Sequence, residues 1–186
     1  MKFFFASDLH GSAFACEQIL ARFEAEKADR LFLLGDLLYH GPRNDLPECY
    51  RPKEVIQMLN AFATAPLCVR GNCDAEIDQM VLSFPIMADY ALLPLTDACC
   101  AFLTHGHLFN TALVPPHKAG DVLIHGHTHI HGVFPREDYV YINPGSAALP
   151  KEGQPKSYMG YEDGAFEIKG LEDGKTLVEY RLEETL

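Results

Sequence analysis

Phe3-Phe4-Phe5-Ala6-Ser7-Asp8-Leu9-His10 joins a short apolar run to two side chains of metal-binding type. Four further stretches repeat the arrangement. Leu31–Leu34 leads into Gly35-Asp36, and Leu67–Val69 into Gly71-Asn72-Cys73-Asp74. Ala101–Leu103 leads into His105-Gly106-His107, and Val122–Ile124 into Gly126-His127-Thr128-His129. Runs of about four apolar residues bounded by Gly and polar residues read as buried strands. In open α/β sheets, ligands gather beyond the carboxyl ends of the strands. The pattern therefore places Asp, Asn and His side chains repeatedly on one sheet edge. Oxygen and imidazole groups converging there describe a metal site, and seven such ligands are enough for two metals.

Helical patterning fills the gaps between the early strands. Ala13–Ala25 puts Phe14, Ile19, Leu20 and Phe23 on one face, with Ser12 available as N-cap. Lys53–Ala63 spaces Val55, Ile56, Leu59 and Phe62 similarly, after Pro52. Strand, helix, strand, helix, strand predicts a parallel sheet. The second half reads as hairpins: Tyr90–Leu95 with Ala98–Leu103, and Gly132–Arg136 with Tyr139–Ile142. Ser157–Ile168 and Lys175–Leu182 continue as strands, joined by an Asp173-Gly174 turn. The expected fold class is α/β, with two mixed β-sheets stacked face to face and helices outside. The 15 residues of Leu37–Arg51, rich in Gly, Pro and Asn, form the longest expected loop, a length often kept for function.

Composition narrows the function. The length of 186 residues suits one domain, expected to span 1–186. A net charge of −11 argues against duplex nucleic acid, whose affinity comes mostly from a basic face. Bound cations would still let a local site hold phosphate. None of the six cysteines forms a C-x-x-C pair, so a zinc knuckle is not expected. Cys68 and Cys100, in or beside apolar runs, read as buried small hydrophobes. Asp8 and His10 interrupt the apolar start too early for a signal peptide, and no run nears the ~20 apolar residues of a membrane span. The cytoplasm is the expected location, with no membrane partner.

The order Asp-x-His, Gly-Asp, Gly-Asn-x-Asp, His-Gly-His, Gly-His-Thr-His, followed by Asn143-Pro144-Gly145-Ser146, resembles the calcineurin-like metallophosphoesterases over nearly the whole chain. His40-Gly41-Pro42-Arg43-Asn44, Arg70-Gly71-Asn72-Cys73-Asp74 and Leu103–Phe109 resemble the YfcE-like bacterial phosphodiesterases within that superfamily. The resemblance implies a four-layer α/β/β/α sandwich. It implies that Asp8, His10 and His129 hold one divalent metal, that Asn72, His105 and His127 hold a second, and that Asp36 bridges them. Manganese is the metal it favours; the donor types also admit zinc, iron, nickel or cobalt. The reaction implied is in-line attack of a metal-bridging hydroxide on a small phosphodiester.

One position departs from the common pattern. Where most members carry Gly-Asn-His-Asp/Glu, this chain has Cys73. A thiol is a poor general acid near neutral pH compared with an imidazolium. Substrates with good leaving groups, or a proton taken from water, are therefore expected. The YfcE-like group shares the cysteine, so activity is still implied.

Other candidates keep two readings at this level. Asp74 either orients a neighbouring ligand or makes a turn. His107 orients a ligand, touches substrate or simply packs; His125 packs or supports a ligand. Arg43 and Asn44 meet the substrate phosphate or stay solvated. His117, His131, Glu183 and Glu184 read as surface groups, and Asn143–Ser146 as a turn closing the site. A phosphomonoesterase acting on a nucleotide or sugar phosphate is the nearest alternative function. A protein-interaction scaffold of the same fold, like the related retromer subunit, is the other. Exposed strand edges leave room for a homo-oligomer.

Overall fold

The computed structural model describes residues 1–182; Glu183 and Glu184, expected on a solvated edge, lie outside the described residues. Strands β1 (Phe3–Ala6), β2 (Arg30–Leu33) and β3 (Leu67–Cys68) are connected through helices α1 (Ala13–Ala25) and α2 (Pro52–Ala61). A short helix α3 (Glu76–Gln79) precedes β4 (Tyr90–Pro94), β5 (Cys100–Thr104), β6 (Asp121–His125), β7 (Gly132–Pro135) and β8 (Tyr139–Asn143). The chain ends in β9 (Ser157–Glu162), β10 (Ala165–Gly170) and β11 (Thr176–Arg181).

Two mixed sheets result. One has the order β11-β10-β9-β1-β2-β3, the other β4-β5-β6-β8-β7. β1, β2 and β3 run parallel, as the βαβ pattern predicted. β5, β6 and β8 are also parallel, with β4 and β7 added antiparallel at the edges. The ligand-bearing ends of five parallel strands therefore point the same way within each sheet.

The run Phe3-Phe4-Phe5 is apolar at every position because both faces of its sheet are covered. Phe4, Leu31 and Leu33 face α1 and α2, where they bury Ile19, Phe23, Val55 and Leu59. Phe5, Phe32 and Leu34 face the other sheet and meet Leu103, Val122, Ile124 and Ile142. The outer face of the five-stranded sheet is finished differently. Phe102, Leu123 and Tyr141 are covered by Phe109, Phe134 and Tyr139, and among the described residues no helical one joins this cluster.

Local details correct the sequence reading in four places. The stretch expected as one strand, Ser157–Ile168, is a hairpin. Asp163 and Gly164 adopt φ of 47° and 81°, the left-handed pair that a tight two-residue turn needs. Cys68 and Cys100 are only partly buried, since both sit at strand ends rather than in the sheet interior. Phe14 stays half-exposed beneath the Lys156 ammonium, 4.8 Å from its ring centre, and Ala15 and Cys16 take the inner face of α1 instead. Helix α2 starts at Pro52 rather than after it, as suits a residue with no N–H to leave unpaired. Ser12 caps α1 as expected, its side chain accepting from Ala15 N at 3.1 Å. Among the described residues no helix is long and apolar enough to cross a membrane.

Candidate metal centre

Each candidate ligand sits just past a strand. Asp8 and His10 follow β1, Asp36 follows β2, Asn72 follows β3, His105 follows β5, and His127 and His129 follow β6. Five of these seven residues bend back toward the site through positive φ: Asp8 58°, His10 47°, Asp36 56°, His127 64° and His129 62°. L-residues seldom adopt that region, and clusters of them mark functional sites held against their backbone preference. Two glycines make the convergence sterically possible. A Cβ on Gly71 would lie 2.0 Å from Asp36 Oδ1, and one on Gly126 would lie 2.0 Å from Ser7 Oγ and 2.6 Å from Asp8 Oδ2.

The donor atoms form two groups that share one oxygen. Asp8 Oδ1, His10 Nε2 and His129 Nε2 lie within 3.6 Å of one another. His105 Nε2 lies 3.1 Å from Asn72 Oδ1 and 3.2 Å from His127 Nδ1. Asp36 Oδ2 stands between the groups, 3.7 Å from His10 Nε2 and 3.5 Å from His105 Nε2. Bonds of about 2.0–2.2 Å to one cation set its neighbouring donors roughly 3.0–3.6 Å apart.

The proton positions point the same way. His10 Nδ1 donates to Tyr39 O at 2.8 Å, His105 Nδ1 to Leu34 O at 2.7 Å, and His129 Nδ1 to Leu149 O at 2.5 Å. A carbonyl only accepts, so these bonds place a ring proton on Nδ1 and, in the neutral ring that a metal would bind, leave the lone pair on Nε2. The lone pairs of His10 and His129 then face each other across 3.2 Å. Asp8 Oδ1 is buried beside them and has no hydrogen-bond partner. Unshared pairs converging on one point repel unless a cation lies among them. The donor set therefore fits divalent metal ions.

Electrostatics tell the same story. Burial disfavours charge on Asp8, yet the adjacent His10 and His129 rings hold its carboxyl well below the usual carboxylate range. Asp36 is lowered against the same burial cost by His105. Burial works against a charged His105, but the carboxylates of Asp36 and Asp8 raise it to about 9. His10 is raised for the same reasons. The two carboxylates thus favour charge on His10 and His105, whereas burial and the neighbouring His105 lower His127, so the pull for positive charge centres beside Asp8 and Asp36.

The family model for the calcineurin-like phosphoesterase superfamily domain matches residues 1–162. The chain belongs to this superfamily. Phosphodiesterase YfcE of Escherichia coli K12 is 45% identical over 173 residues, covering 93% of this chain and 94% of that protein. The structure of YfcE, described as a phosphoesterase from E. coli, aligns at TM-score 0.94 with 43% identity, covering 98% of this chain and 100% of the other. A Vps29 single mutant from Entamoeba histolytica aligns at TM-score 0.61 with 20% identity, covering 97% and 100%; that likeness shows the fold alone.

In this phosphoesterase-family chain, a second ring of groups holds the donors. Asp74 Oδ2 accepts from the N–H groups of Asp36 and Gly71, and Oδ1 from that of Leu37, all at 2.8 Å. Asp74 is thus tied to the loop of another strand and is more than a local turn. Asn143 reaches beneath the last ligand pair, with Nδ2 within 3.0 Å of Gly126 O, Thr128 Oγ1 and Tyr141 Oη. His125 stacks on Tyr141 at 4.2 Å between ring centres, and burial pushes its ring down to about 4. It is a neutral packing group. Cys73 N–H donates to Asp36 Oδ1 at 2.8 Å. Burial and the Asp36 carboxylate push the Cys73 thiol well up, so it carries a proton at neutral pH.

A groove of about 430 Å³ opens over the donors, lined by Arg43 and Asn44 on the loop after β2, by Cys73, and by Thr128 and Lys151. His107 is outside it. It lies half-buried with its ring centre 5.5 Å from that of His105. His117 is exposed in a loop and pairs with Asp138 at 3.2 Å, whereas His131 is partly buried. Sequence reasoning missed Lys151, Thr128 and the three orienting carbonyls. Backbone carbonyls carry no residue signature, and Lys151 stands 22 positions past His129 with no motif around it.

Proposed function

We propose that this chain is a metal-dependent phosphodiesterase that hydrolyses small phosphodiesters. The observation that carries it is the pair of donor groups sharing Asp36 Oδ2, with imidazole lone pairs turned inward by backbone carbonyls. Asp8, His10, His129 and Asp36 would hold one divalent ion, and Asn72, His105, His127 and Asp36 the other. When bound, such a pair supplies Lewis-acid stabilisation of phosphate oxygens and lowers the pKa of water.

The chain's own residues do the rest. Asp36 aims Oδ2 between the two groups because its Oδ1 is held by Cys73 N–H and its backbone by Asp74. The groove admits substrate from the side of Arg43, Asn44 and Thr128. Cys73 lines it with a protonated, weakly acidic thiol, so the departing alcohol leaves well by itself or takes its proton from water. The 45% identical protein named phosphodiesterase supports a diester over a monoester. We further propose manganese as the native ion, residues 1–186 as one working domain, possible self-association through exposed strand edges, and a cytoplasmic location. Six unpaired cysteines support the last. The charge of −11 supports small substrates over duplex nucleic acid.

The test is hydrolysis of an activated aryl phosphodiester beside the matching monoester, by metal-stripped protein with each divalent ion restored in turn. Metal-dependent diester cleavage that is lost in Asp36→Asn and His127→Ala is expected, with manganese the strongest activator. No turnover of either ester with any ion would overturn the reading and favour a scaffold. Faster turnover of the monoester would make the chain a phosphomonoesterase.

A further inference from the structure

Two cations on the groove form no ion pair with any of the described residues. Of the 15 Lys and Arg side chains, nine hold a carboxylate or a carbonyl. The unpartnered remainder, among the described residues, includes Arg43 and Lys151, and these two line the groove. In a chain of charge −11, carboxylates are plentiful, yet among the described residues none pairs with either one.

Both cations stand on segments that border the donor cluster. Lys151 N–H donates to the carbonyl of His129 at 3.2 Å, so its side chain starts next to that ligand. Arg43 lies in the turn that follows Tyr39, whose carbonyl holds His10 Nδ1 at 2.8 Å. Asn44 closes that turn, its N–H donating to Gly41 O at 3.3 Å and its amide to His40 O at 2.8 Å. Gly41, two residues before Arg43, lies where an added Cβ would stand 3.2 Å from Cys73 Sγ, so Lys151 borders the groove beside His129 and the Arg43 turn borders it beside Cys73.

Charge balance then favours a particular substrate. With the ligand histidines neutral, Asp8, Asp36 and the adjacent Asp74 carboxylate would offset most of the charge that a pair of divalent ions brings. The single negative charge of a simple phosphodiester would be taken up at those ions, which leaves Arg43 and Lys151 without a counter-ion. We infer that Arg43 and Lys151 form a subsite for a second anionic group, so that the preferred substrates are phosphodiesters carrying a carboxylate or a further phosphate on one of their alcohols. Guanidinium and ammonium groups both suit such oxygens. This inference rests on the phosphodiesterase reading above.

The experiment compares three 4-nitrophenyl phosphodiesters with the manganese-loaded enzyme. Their second alcohol carries a propyl, a carboxyethyl or a phosphoethyl group. Calorimetric titration with the three corresponding non-hydrolysable phosphonates reads binding without turnover. An anionic group should raise kcat/KM about tenfold over propyl, chiefly through KM, and tighten phosphonate binding to match. The favoured arm identifies the group as carboxylate or phosphate. Lys151→Met and Arg43→Gln should each lower that preference about threefold, and the preference should shrink with added salt. Lys53→Met, which removes an unpartnered cation outside the groove, should leave it unchanged. A propyl ester turned over as fast as both anionic esters, or a preference equal in the double variant and the parent, would overturn the subsite while leaving the phosphodiesterase reading intact. Absence of turnover of all three esters would instead strike the underlying reading, and the phosphonate titrations would still decide the subsite.

Discussion

Asp74 Oδ2 accepts a hydrogen bond from the backbone N–H of Asp36 at 2.8 Å, and its other oxygen takes the next N–H, that of Leu37, at the same distance. The turn carrying Asp36 is therefore bolted to the loop carrying Asn72. An ionised carboxylate accepts both bonds well. Asp74→Asn exchanges one acceptor oxygen for an amide that faces an N–H donor. Manganese affinity measured by calorimetry should fall about 10- to 100-fold, the usual loss when a group supporting a ligand is removed. Circular dichroism should show the fold retained. An affinity equal to the parent's would show that the contact does not position Asp36.

Gly71→Ala tests the close approach of two strands' loops. The new Cβ would meet Asp36 Oδ1 at 2.0 Å and its backbone N at 2.3 Å, and the backbone atom has little room to retreat. Overpacking of this kind costs about 1–3 kcal/mol. Thermal unfolding should shift down in the metal-free protein, and metal-dependent activity should be lost with it.

Cys73→His restores an imidazole where the thiol keeps its proton. General acids contribute about 10²–10⁴-fold where they reach the leaving group. The ratio of monoester to diester turnover should change by about tenfold or more. A constant ratio would show that this position does not set the preference.

Glu26 supplies a pH test away from the site. Burial raises its pKa, but Lys2, Lys169 and Tyr158 overcome this and lower it from 4.5 to about 2. A group with a depressed folded pKa stabilises fully above its unfolded value and loses that contribution as pH falls through the folded one. Its side chain is 16% exposed and its partners reach solvent, so screening reduces the worth of the network to about 1 kcal/mol. Denaturant unfolding should show Glu26→Gln less stable than the parent at pH 7. The difference should shrink between about pH 4.5 and pH 2 and vanish below. A gap unchanged at pH 2 would contradict the assignment.

Much of the site was legible because its residues are local to strand ends. Asp8, His10, Asp36, Asn72, His105, His127 and His129 each follow an apolar run within a few positions, and the structure brings all seven together. The hairpin at Asp163-Gly164 was passed over although its residues carry the same signal as Asp173-Gly174. There the flanking residues continue the strand pattern on both sides, and periodicity outweighed the turn.

The sequence by itself determined the βαβ start, the two-sheet class and the ligand types, because strand period and ligand chemistry are properties of neighbouring residues. Tertiary structure alone decided that Asp36 Oδ2 stands between the two donor groups, which ring nitrogen His10 and His105 turn inward, and that Arg43 and Lys151 line one groove. Those facts depend on carbonyls and loops brought together from positions as far apart as Arg43 and Lys151. Backbone atoms are the same in every residue, and long-range approach leaves no periodic trace in a single chain.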